Sequence, residues 1–159
     1  MLVRVSGLDQ PGITAGMMGI LDEAGAEVLD VEQVVIWGRL NLGLVVSVPG
    51  GRDLLRDLLL FGWERDVEVD FEVVEDAPDG PRIGGHAVTV LGERLGPEDL
   101  RVVTEAIAGA DGNIERIVRL SRYPVWSYEL LVRCAEGDRL REALLSACTR
   151  HPTFEVAVA

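Results

Sequence analysis

Lysine is missing from this chain, whose 15 basic residues are all arginine. That excludes Schiff-base chemistry, a phosphate-loop lysine and a lysine general base. Cysteine is nearly as scarce: Cys134 and Cys148 are the only two, and no second pair or histidine cluster stands at metal-ligand spacing. They read as buried free thiols of a reducing compartment rather than as a disulfide. No apolar run approaches the ~20 residues a bilayer crossing requires. The opening "MLVRVSGLDQ" also lacks the basic, apolar and small-residue zones of a signal peptide. A cytoplasmic location without a membrane partner is therefore expected. A formal net charge of -12 leaves no basic face for a phosphate backbone, so no nucleic-acid partner is expected either.

What is present is a chain of 159 residues, 48% apolar and 26% charged, enough for one ordinary domain or two small ones. An internal repeat favours two. "LNLGLVVSVPGGRDLLRDLLL" from Leu40 parallels "WSYELLVRCAEGDRLREALLS" from Trp126, matching Leu44, Val46, Val48 and Leu54 with Leu130, Val132, Cys134 and Leu140. Between the halves, "EDAPDGPRIGG" reads as a linker over residues 75–85. The expected domains are then 1–74 and 86–159.

The periodicity alternates within each half. Val3 and Val5 predict a strand, and Ile13, Met17, Ile20, Leu21 and Ala24 predict a helix. Two strands, "GAEVLDVEQVVIW" and "LNLGLVVSV", are separated by a turn at Gly38–Arg39. Leu54, Leu55, Leu58, Leu59 and Phe61 make a second helix stripe. In "VEVDFEV", Val67, Val69, Phe71 and Val73 alternate with Glu68, Asp70 and Glu72, as in a half-buried strand. The second half repeats the order, with helix stripes of Leu100, Val103 and Ile107 and of Leu140, Leu144 and Ala147. The fold class is α+β: two tandem ferredoxin-like βαββαβ domains. Between Val28 and Ile36, apolar residues fall on both alternating sets, Val28, Val34 and Ile36 against Leu29, Val31 and Val35. A second surface is expected to cover part of the sheet face opposite the helices.

"VSGLDQPGITAGMMGIL" places Gly7, Asp9, Gln10, Pro11 and Gly12 between the first strand and the first helix. Pro11 suits an early helical position and Gly12 admits close approach to the backbone. The helix end favours an anion, and Asp9 adds a fixed negative charge nearby. Donors beside a carboxylate suit a zwitterion. The plainer alternative makes Asp9 a helix cap worth ~1 kcal/mol. The equivalent turn of the second half, "LGERLGPEDL", keeps Gly92 but has no Asp-x-Pro-Gly.

The βαββαβ order with Gly-x-Asp-x-Pro-Gly after its first strand resembles the ACT domain, a regulatory module that binds amino acids. With "LDVEQVVIWGRLNLGLVV" following, the whole chain is similar to the tandem ACT region of phosphoserine phosphatases of the actinobacterial type. The resemblance implies a homodimer and a small amino acid, serine or glycine, bound between ACT domains. The ligand-binding residues it implies are Asp9, Gln10, Pro11, Gly12, Gly92, Asn113 and Ile114. In that family a haloacid-dehalogenase-type hydrolase domain follows, using magnesium and an aspartate nucleophile. This chain has no Asp-x-Asp and no lysine. No catalytic residue, metal site or cofactor is therefore expected in it, and magnesium is expected only for the absent phosphatase domain. The chain ends on what reads as a final strand, so a regulatory portion of such an enzyme is expected. The alternative is a free-standing tandem-ACT regulator acting through a protein partner, similar to the glycine cleavage system repressor.

Other residues carry weaker chemistry. His86 and His151 lack a partnered nucleophile and read as surface or core-edge residues. Tyr123, Trp126 and Tyr128 read as sheet packing or interface, and Glu68, Asp70 and Glu72 as a solvated strand face rather than a cation cage.

Overall fold

The computed structural model describes residues 1–48, 54–75, 85–134 and 136–159. The chain divides into two compact units, Met1–Pro78 and Asp79–Ala159. The segment read as a linker lies outside the described residues except at its ends.

The first unit runs β1 (Leu2–Leu8), α1 (Ile13–Glu23), β2 (Glu27–Ile36), β3 (Arg39–Ser47), α2 (Leu54–Arg65) and β4 (Val67–Glu72). Its antiparallel sheet has the order β2-β3-β1-β4. The second unit repeats this with β5 (Gly85–Gly92), α3 (Pro97–Gly109), β6 (Asn113–Ser121), β7 (Trp126–Arg133), α4 (Gly137–Arg150) and β8 (Glu155–Val158), in the order β6-β7-β5-β8. The expected βαββαβ unit is thus present twice.

Each unit has its own core. In the first, Val3 and Val5 of β1 and Leu40, Leu42, Leu44 and Val46 of β3 meet Ile13, Met17 and Leu21 of α1 and Leu54 and Leu58 of α2. In the second, Val88, Val90, Leu130 and Val132 meet Val103, Ile107, Leu140, Leu144 and Ala147. Alternate strand positions supply one face of each sheet and the helices cover it.

Five details depart from the sequence expectation. The hairpin turn is Trp37–Gly38, both at positive φ (51° and 74°), rather than Gly38–Arg39; two such residues form the tight turn that suits strand twist. Val73 lies beyond β4 and is exposed. On α3 the buried residues are Val102, Val103 and Ile107, with Leu100 only half-buried. On α2 they are Leu54, Leu58 and Gly62, while Leu55 and Leu59 face outward. Gly62 sets this rotation: a Cβ there would stand 2.5 Å from Val69 Cγ2, so the helix lies close to β4 on that side.

The fifth concerns β2. Its register against β3 shifts between Val28 and Asp30. Such a bulge moves a residue to the other face: Val28, Val31, Gln33 and Val35 pair with the buried positions Val46, Leu44, Leu42 and Leu40. Val28 therefore shares the helix side with Val31 and Val35, not the open side with Val34. As an edge strand, β2 leaves all ten of its residues exposed.

Candidate functional site

The loop from Asp9 to Gly12 is fixed from three sides. The Asp9 N–H donates to the Gly38 carbonyl at 2.9 Å, tying the loop to the hairpin turn. Gln10 Nε2 donates to the Arg65 carbonyl at 3.1 Å, tying it to the end of α2. Gly12 is the N-cap of α1 at φ 89°, a left-handed conformation that an L side chain would strain. No side chain caps the helix, and its first turn carries no acidic residue. Asp9 is therefore not the cap.

An α-helix leaves its first N–H groups without intrahelical partners and carries partial positive charge there. At this end of α1 lies a cavity of about 290 Å³, lined by Asp9, Gln10, Pro11, Gly12, Ile13, Thr14, Ala15 and Gln33. Four of the residues expected from sequence are thus gathered around one opening. Two more line it, one from the first turn of α1 and one from β2: the Thr14 hydroxyl donates to Gln33 Oε1 at 2.6 Å. Gln33 comes from β2, where the register places it on the helix side of the sheet. The Arg65 guanidinium stands nearby, 3.9 Å from where a Cβ on Gly12 would be. Sequence reasoning missed all three residues. The signal for Gln33 was an uncharged polar side chain among the alternating apolar positions Val31 and Val35 of "DVEQVVI".

The corresponding helix end in the second unit differs in charge. Gly96 caps α3 with Pro97 next, and the first turn holds Glu98 and Asp99. Asp99 Oδ2 accepts the Gly96 N–H at 2.8 Å, and Asp99 Oδ1 accepts the Thr153 hydroxyl at 2.6 Å. The Thr153 hydrogen bond foremost, with the Gly96 amide, holds the Asp99 carboxyl below the ordinary value of 3.8. The first turn of α3 thus carries carboxylates of its own, where that of α1 carries none.

The remaining expected ligand residues belong to the second unit, where Gly92 lies apart from Asn113 and Ile114. Gly92 ends β5, where a Cβ would stand 2.7 Å from Leu95 Cδ2 and 3.0 Å from the Thr153 carbonyl oxygen. Gly7, one residue before the end of β1, is packed in the same way, with Val67 Cγ1 2.7 Å from such a Cβ. Close packing thus accounts for both glycines. Asn113 is exposed, and Ile114 packs against the core of its unit. Gly92 pairs with Trp126 and Asn113 with Arg133, at opposite ends of β7; seven residues of strand span roughly 24 Å.

Elsewhere, the His86 ring lies against Gly137, 2.6 Å from a Cβ built there, and His151 caps the end of α4. Arg4 pairs with Asp70 at 3.1 Å and also with Glu72, so the acidic row on β4 has its own counter-charge. Trp126 carries Arg122 over its ring at 5.3 Å, Tyr128 packs against the core and Tyr123 is exposed. Both cysteines are free; the buried Cys134 thiol donates to the Ala110 carbonyl at 3.3 Å, and burial pushes the Cys148 thiol up. Among the described residues, no helix is long and apolar enough to cross a membrane.

Two family models, both for the ACT domain, match residues 1–72 and 84–159. The phosphoserine phosphatase of Streptomyces coelicolor is 38% identical over 148 residues, which is 91% of this chain and 36% of that protein. The phosphoserine phosphatase of Mycobacterium tuberculosis is 36% identical over 140 residues, 86% of this chain and 34% of that protein. The chain therefore spans about a third of the length of these curated relatives. Among solved structures, an unknown protein from Galdieria sulphuraria superposes with a TM-score of 0.74 at 16% identity, covering 99% of this chain and 95% of that one. A candidate glycine cleavage system transcriptional repressor does so with a TM-score of 0.75 at 16% identity, covering 99% and 94%. At that identity the likeness is one of fold.

Proposed function

The chain belongs to the ACT-domain family, and from that premise we propose that it is the amino-acid-binding regulatory and dimerisation region of a phosphoserine phosphatase. The observation that carries the proposal is the open N-terminus of α1: an uncapped helix end facing a small cavity with Asp9 on its wall. A free amino acid matches this arrangement group by group. Its carboxylate takes the N–H groups of the first turn, helped by the Arg65 guanidinium. Its ammonium takes Asp9. A short polar side chain, the hydroxyl of serine, takes Thr14 and Gln33.

Serine fits better than glycine because glycine would leave the Thr14–Gln33 pair without a ligand partner. Gly92, Asn113 and Ile114 stay in this reading only as residues supplied by another ACT domain, since within their own unit they do not converge. The first unit holds the ligand alone, because Asp99 answers the equivalent helix end in the second. Hydrolysis, with its magnesium and aspartate nucleophile, belongs to a separate phosphatase part. The free-standing regulator remains the other reading, and likeness of fold to the repressor candidate adds nothing to it.

Isothermal titration of the whole chain with L-serine, glycine and D-serine tests the proposal. One L-serine site per chain, with glycine weaker and D-serine silent, is expected. Absence of heat at millimolar L-serine in a verified dimer would overturn the ligand assignment.

A further inference from the structure

Helix α2 carries large apolar residues on its outer face as well as on its inner one. Leu54, Leu58 and Gly62 face the core, yet Leu55, Leu59 and Leu60 are half-exposed and Trp63 is 80% exposed. A helix with apolar residues on both faces belongs in an interior, not on a surface. The two inward stripes of the second unit have no such counterpart: α3 has no exposed large apolar side chain, and α4 has Leu145 alone.

The charges on this outer face carry a further pattern. Arg56, Leu60 and Glu64 follow at four-residue steps, so they form one row along the helix. Leu60 is the midpoint of that row, with a cation one turn before it and an anion one turn after. A two-fold axis through Leu60 places Arg56 of one copy opposite Glu64 of the other, and the reverse, with Leu59 and Trp63 beside the axis. The row is thus complementary to itself, as a closed two-fold interface requires. Asp57, which bonds Arg56 at 3.1 Å, flanks the same face.

We propose that the outer face of α2 is a docking surface for α2 of a second copy of this chain, packed antiparallel about Leu60. Leu59, Leu60 and Trp63 offer on the order of 400 Å² per copy, about 800 Å² in all, the size of a weak or transient interface. A reversible dimer is expected rather than an obligate one. This deepens the dimerisation part of the proposed function and is independent of the amino-acid site.

Sedimentation of the full chain over a hundredfold range of concentration tests it. The wild type should associate reversibly, and Leu60→Glu should weaken association at least tenfold. Arg56→Glu alone sets Glu against Glu, and Glu64→Arg alone sets Arg against Arg, so each should weaken it at least tenfold as well. An equimolar mixture of those two variants should regain wild-type affinity as a heterodimer, which a folding defect would not allow. A wild type that stays monomeric overturns the proposal together with the dimerisation reading. A dimer that ignores Leu60→Glu and both charge reversals, or a mixture that fails to recover, overturns this surface and leaves dimerisation to another one, such as the exposed edge β2.

Discussion

The Thr14 hydroxyl donates to Gln33 Oε1 at 2.6 Å, so the first turn of α1 and the edge strand β2 meet in the wall of one cavity. Both residues are at least partly exposed, and their mutual bond adds little to folding. Thr14→Val and Gln33→Ala should each raise the Kd for L-serine about three- to tenfold, the worth of one neutral hydrogen bond of ~1 kcal/mol. Unfolding midpoints should move by less than about 0.5 kcal/mol. Titration calorimetry and urea melts on the same preparations read the two effects separately.

Asp9 separates binding from capping more sharply. Its side chain does not cap α1, so Asp9→Asn should leave stability within about 0.5 kcal/mol of the wild type. Loss of a charged partner for the ligand ammonium, worth roughly 1.5–3 kcal/mol, should weaken binding at least tenfold. A variant that melts early and binds normally would return Asp9 to the role of a structural turn residue.

The helical glycines of α1 should respond in opposite directions. Gly19 has open space where a Cβ would go, so Gly19→Ala should stabilise by roughly 0.5–1 kcal/mol through helix propensity. At Gly16 a Cβ would stand 2.3 Å from the Phe61 ring, and Gly16→Ala should destabilise by about 1–3 kcal/mol through overpacking. Thermal denaturation of the two variants side by side decides it.

The second unit makes a pH prediction. Thr153 and the Gly96 amide hold Asp99 below 3.8, its ordinary value when unfolded. A carboxyl lowered in the folded state contributes stability above that value and loses it as pH falls through the lowered one. Asp99→Asn should therefore be less stable than the wild type at neutral pH, with the gap closing below pH 3.8. Urea midpoints measured from neutral to strongly acidic pH would show a constant gap if Asp99 contributes only packing.

Sequence periodicity was enough for the element order, because strand and helix patterns alternate cleanly and the repeat checks each half against the other. It could not reveal the bulge at Leu29, since a one-residue register shift leaves composition unchanged while exchanging faces. It also placed Leu55 and Leu59 in the core, because a helix with leucines on both faces offers no way to choose one until Gly62 settles against β4. Of the site, the local part was legible: Asp9 to Gly12 are contiguous. Gln33 and Arg65 join them only through tertiary contacts with β2 and α2. Gly92 was ambiguous because a glycine that packs tightly looks, in one dimension, like a glycine that admits a ligand.

Asp99 in the second unit has a practical consequence for work in solution. Because that helix end carries its own carboxylate, it repels the carboxylate of an added amino acid, and the amides beside it become an internal reference for those of the first unit. In an amide NMR titration, resonances from the residues lining the α1 cavity should shift while those of Gly96 and Asp99 hold still, so each spectrum would contain both the response and its baseline.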